Sequence, residues 1–84
     1  MKEILYEISE LLIKGGYPDW GNSFIKFKDE IAVDPLFVKS QLAKVFGGMG
    51  SFNDIVLYED KTPLFDENER LDFLRTQLYK LISY

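Results

Sequence analysis

FGGMGSFNDIVLYED, residues 46–60, decides how this chain folds. Gly47, Gly48 and Gly50, with Ser51, Asn53 and Asp54, separate two apolar stretches. A phosphate-binding loop places its glycines ahead of a helix and follows them with Lys-Ser or Lys-Thr. Here the glycines follow a helical pattern, no lysine comes after them, and Ile55-Val56-Leu57 is poorly suited to start a helix. The stretch therefore reads as a built turn. Gly47 or Gly48 stops the preceding helix with a positive φ. Met49 and Phe52 pin the loop to the core, Gly50 allows close backbone approach, and Ser51, Asn53 and Asp54 satisfy the loop's own backbone groups. Ile55–Tyr58 is then extended. With no obvious strand partner, it is expected to form at most one short bridge or hairpin.

Toward the N-terminus, Ile4, Leu5, Ile8, Leu11 and Leu12 recur at helical spacing, with Glu3, Glu7, Glu10 and Lys14 off the stripe. This predicts a helix over 3–14, ended by Gly15-Gly16. Tyr17-Pro18-Asp19 starts a second helix, on which Trp20, Phe24, Phe27 and Ile31 form an aromatic stripe. Such a stripe reads as core before it reads as a ligand pocket. Asp34-Pro35 opens a third helix, with aspartate as N-cap and proline in the first turn. Leu36, Val38, Leu42, Val45 and Phe46 supply its expected apolar side.

Beyond the extended stretch, Glu59–Pro63 (EDKTP) reads as a loop. Asp66 and Glu69 have the spacing of a capping box, with Asp66 as N-cap. Leu71, Leu74, Leu78, Leu81 and Ile82 follow on a last helix reaching about Ser83. The predicted fold is mainly α, a single helical domain over 1–84. It has four helices and one short extended segment between helices three and four.

Composition limits the chemistry. The 84 residues are 46% hydrophobic and 15% aromatic, a globular composition with a small core. Cysteine and histidine are both absent. That removes thiolate nucleophiles, the commonest general base and the usual zinc ligands. No enzymatic activity and no cofactor are expected. A metal site at Asp54, Glu59 and Asp60 is disfavoured, because these acids alternate with Val and Leu where a calcium loop needs closely spaced oxygen ligands. No leader peptide is expected, since Met1-Lys2-Glu3 runs into a charged amphipathic stretch. With no long apolar run either, a cytoplasmic protein away from the membrane is expected.

Charge favours a protein partner. Fourteen acids face ten bases, for a net charge of −4, and residues 46–84 alone carry seven acids and four bases. Nucleic-acid binders show the opposite sign. An acidic surface suits a basic protein. Tyr6, Tyr17, Tyr58, Tyr79 and Tyr84 fit a contact surface as well as half-buried rim positions. The partner-facing candidates are Asp54, Tyr58, Glu59, Asp60, Asp66 and Glu67.

FGGMGSFNDIVL, residues 46–57, resembles the central motif of a family of small uncharacterised bacterial proteins: Gly-Gly-Met-Gly-Ser, an apolar residue, Asn-Asp, then an apolar run. LLIKGGYPDW before it and NERLDFLRTQLYKLI after it look similar too. The resemblance marks Gly47, Gly48, Met49, Gly50, Ser51, Asn53 and Asp54, and implies no activity. The size and acidic helical build are similar to those of immunity proteins that neutralise bacterial toxins. The expected function is thus an interaction module, most concretely one that binds a basic toxin. The alternatives are a helical scaffold or oligomerising domain, and a small-ligand site at the Gly-rich loop. Oligomeric state is open at this point.

Overall fold

The computed structural model describes residues 1–46 and 52–83. Among these, four α-helices form: α1 (Lys2–Lys14), α2 (Pro18–Glu30), α3 (Pro35–Val45) and α4 (Phe65–Ile82). A 3-10 turn at Phe52–Asp54 and the strands β1 (Tyr58–Glu59) and β2 (Thr62–Pro63) separate α3 from α4. The domain is mainly α, as its hydrophobic spacing predicts.

α1 ends where expected. Gly15 N–H donates to Leu11 O at 2.9 Å, and Gly16 takes a φ of +96° that side chains with a Cβ resist. The short turn sends α2 back along α1. Gly21 lies against Ile13 near one end of the pair, and the Lys28 ammonium lies 5.3 Å from the Tyr6 ring near the other. α3 begins at its aspartate: Phe37 N–H donates to Asp34 Oδ1 at 3.2 Å.

The core draws on every helix: Leu5, Ile8 and Leu12 from α1, Phe24 from α2, Val38 and Leu42 from α3, and Leu71, Leu74 and Leu78 from α4. The α3–α4 connection adds Phe52, Ile55 and Leu57. Phe52 is the hub, with its ring 4.8 Å from Phe24, 5.4 Å from Phe46 and 6.0 Å from Trp20. Burying such a ring contributes about 1.5–3 kcal/mol. Arg75 holds the backbone beneath it, donating from Nη1 to Phe52 O at 2.7 Å and from Nη2 to the Asp72 carboxylate.

Three expectations are corrected. Leu36 is not on the buried side of α3 but 79% exposed; the core-facing positions are Val38 and Leu42, one turn apart. Glu59–Pro63 is not a plain loop, because Thr62-Pro63 is the strand partner that Tyr58-Glu59 appeared to lack. Asp66 is not the N-cap of α4. Leu64 occupies that position with extended backbone and no side-chain cap bond, and Asp66 falls inside the first turn. The reason is Asn68, whose side-chain amide reaches back and fixes the start of the helix. Gly47 and Gly48 as helix stop, and the roles given to Met49, Gly50 and Ser51, lie outside the described residues.

Candidate functional site

The hairpin is antiparallel, pairing Tyr58 with Pro63 and Glu59 with Thr62. Asp60 and Lys61 make its two-residue turn, both at positive φ (50° and 67°). That is the left-handed pair the favoured primed hairpin turn requires, supplied here without glycine. One step inward, Leu64 N–H donates to Leu57 O at 3.0 Å. The return bond of that pair is replaced by a bridge. Leu57 N–H donates to Asn68 Oδ1 at 2.8 Å, and Asn68 Nδ2 donates onward to Leu64 O at 2.8 Å.

Neither edge of the hairpin offers a free N–H. The outward N–H of Tyr58 is taken by Gly15 O at 3.2 Å. On the other strand the outward position is Pro63, which has no N–H to offer. A partner therefore meets side chains instead of free strand donors.

Alternation sorts those side chains. Leu57 turns in and is fully buried, while Tyr58 and Pro63 turn out. Continuing the register sets Val56 opposite Phe65, and both are exposed, at 41% and 73%. Val56, Tyr58, Pro63 and Phe65 thus make one outward apolar strip. Glu59, Asp60 and Asp66, all exposed, flank it, with Lys61 as the base at the tip. Residue spacing marked Tyr58, Glu59, Asp60 and Asp66. It missed Val56, Pro63 and Phe65, which the period-2 pairing of residues 56–58 with 63–65 would have revealed.

Glu67 and Asp54 differ from the expected pattern. The Glu67 carboxylate is 2.6 Å from Lys14 Nζ, and the hydrogen bond from that ammonium holds its pKa below the usual glutamate range. It fastens α4 to the end of α1 and is not a free partner-facing charge. Asp54 lies in the 3-10 turn, exposed, across the buried Ile55 from the strip. Asn53 Nδ2 donates to Phe46 O at 3.3 Å, tying together the two ends of the Gly-rich stretch. Beside it Phe46, Asn53, Arg75, Thr76 and Tyr79 line a shallow recess of about 440 Å³. Gly47, Gly48, Met49, Gly50 and Ser51, on which the small-ligand alternative rests, lie outside the described residues.

Among the described residues no group of three or more acids is gathered to hold a metal ion. Among them, too, no helix is long and apolar enough to cross a membrane.

These features define a small helical domain that presents a braced hairpin. The chain belongs to a family described as a domain of unknown function (DUF6966), whose model matches residues 13–64. That span runs from the end of α1 through the Gly-rich stretch and the whole hairpin to Leu64. No curated protein and no solved structure matches the chain.

Proposed function

We propose that this protein is a non-catalytic interaction module whose hairpin face binds a basic protein. The carrying observation is the strip of Val56, Tyr58, Pro63 and Phe65, exposed yet rigidly held, with Glu59, Asp60 and Asp66 at its rim. An apolar centre with a charged rim is the usual anatomy of a protein interface. Tyr58 and Phe65 serve as desolvated anchors that set the off-rate, and the acids steer a basic partner. The absence of histidine and cysteine supports a role without chemistry of its own.

The concrete form of this reading is an immunity-type protein. A toxin that cuts RNA needs a basic groove for phosphates, and a carboxylate-rimmed wedge can fill that groove.

The test places a photo-crosslinking amino acid at position 65 and, as control, at Lys80 on exposed α4. The full chain is irradiated in its own cell. A basic protein captured at 65 and not at 80 is the expected result. Its on-rate is then measured against wild type and the Glu59→Lys/Asp60→Lys double variant. The variant should associate roughly tenfold more slowly at low salt, with the difference shrinking at high salt. Equal on-rates at low salt, or an acidic partner at 65, would overturn the proposal.

A further inference from the structure

Lys14, the last residue of α1, lies beside the hairpin, because the next residue, Gly15, accepts the Tyr58 N–H at 3.2 Å. Its ammonium donates to Glu67 Oε2 at 2.6 Å. Glu59, on β1, also acts on that ammonium. The hydrogen bond to Glu67, then the charges of Glu67 and Glu59, hold the Lys14 pKa above the usual lysine range. Glu59 is itself exposed and within ion-pair distance of no base among the described residues. Two carboxylates on different elements thus share the field of one cation. The Lys14–Glu67 pair is open to solvent, with the side chains 56% and 24% exposed. Such a pair adds little to folding and breaks at little cost.

We infer that Lys14 holds the place of a partner's arginine: on binding, a guanidinium of the basic protein displaces the Lys14 ammonium and takes Glu67, within the field of Glu59. The inference rests on the reading of the hairpin face as a binding surface, and it names the side chain that this surface selects. The chain's own ammonium shows that these acids accept a nitrogen cation. Chemistry favours the exchange. An ammonium is a point charge, and here it engages a single carboxylate oxygen. A guanidinium offers a planar fork that takes both oxygens. The same chain displays that stronger mode at its other tie between α1 and α4, where Arg70 donates to Glu7 from Nε at 2.5 Å and from Nη2 at 2.8 Å. Until a partner arrives, Lys14 cancels part of the acidic rim. Basic surfaces that cannot displace it are therefore discriminated against.

The full chain is titrated at low salt into a fluorescent hexa-arginine peptide, with hexa-lysine for comparison. Wild type should bind hexa-arginine more tightly than hexa-lysine, and Glu67→Gln should narrow that gap. Lys14→Met removes an exposed charge and should keep the wild-type circular dichroism spectrum. It should bind hexa-arginine about threefold more tightly than wild type. Lys80→Met changes the net charge equally, on the exposed side of α4, and should match wild type. Adding Glu67→Gln to Lys14→Met should remove the gain. A gain no larger than that of Lys80→Met, a gain that survives Glu67→Gln, or an arginine preference that Glu67→Gln leaves intact would each overturn the inference. Glu59→Lys/Asp60→Lys keeps two failures apart. If it weakens peptide binding while Lys14→Met brings no gain, the hairpin reading stands and this inference alone falls. If it leaves binding unchanged, or if neither wild type nor Lys14→Met binds, both fall.

Discussion

Asn68 holds Leu57 by both of its backbone polar groups. Leu57 N–H donates to Asn68 Oδ1 at 2.8 Å, and Asn68 Nδ2 donates to Leu57 O at 3.0 Å. One side chain thereby joins the first turn of α4 to the base of the hairpin. Asn68→Ala leaves the Leu57 N–H, beside a fully buried side chain, without its partner. The expected loss is about 1–3 kcal/mol. Urea denaturation measures it, and an unchanged midpoint would mean that water replaces the amide at no cost.

The two aspartates at the starts of α3 and α4 should behave differently. Asp34 accepts from Phe37 N–H, so Asp34→Ala should cost about 0.5–2 kcal/mol. Asp66 caps nothing and only adds negative charge to a first turn. Asp66→Ala should cost a few tenths of a kcal/mol or about 0.3–1 at most. Thermal melts of the pair compare them directly; equal losses would restore Asp66 as a cap.

Gly15 is a packing requirement. A Cβ there would sit 2.5 Å from Leu57 Cδ2 and 2.7 Å from Leu57 Cβ. The second atom cannot swing aside without moving the backbone that β1 uses. Gly15→Ala should therefore destabilise by about 1–3 kcal/mol. Chemical denaturation of this variant, alone and with Leu57→Ala, should show the second substitution relieving part of the first defect. Additive losses would remove Leu57 Cδ2 and Cγ from the clash.

Acid should loosen the ties of α1 to α4. A hydrogen bond from Arg70 lowers the Glu7 pKa, and one from Lys14 lowers that of Glu67. Both are lower folded than unfolded, so their contribution is complete above the ordinary glutamate value of about 4.3. It is lost as pH falls below that value through the folded pKa. The stability gap between wild type and Glu7→Gln/Glu67→Gln should be open at pH near 7 and close in strong acid. Denaturant midpoints across that range give the answer, and a gap independent of pH would sink the account.

Helices were legible because their signals are local. Apolar spacing in Leu5-Ile8-Leu12 and in Leu71-Leu74-Leu78, the Asp34-Pro35 start and the Gly15-Gly16 stop each act within a turn or two. The hairpin was only half legible. Asp60-Lys61 lacks the glycine that usually announces such a turn, and Pro63 disguises a strand. The N-terminus of α4 was misplaced because Asn68 acts on Leu57, eleven residues away, a bond no local pattern encodes. Charge counting likewise marked Glu67 for a partner, although Lys14, 53 residues away, already holds it.

The donor-free hairpin edges carry a consequence for the protein at high concentration. Exposed strand donors are templates on which other chains add, and repeated addition ends in fibrils. Here Gly15 occupies the donor of one edge and Pro63 deletes that of the other. An apolar strip as exposed as Val56–Phe65 would ordinarily invite such growth. With no free donor on either edge, strand addition at this face is disfavoured. The chain can thus present aromatic side chains openly without offering a neighbouring chain a free strand donor.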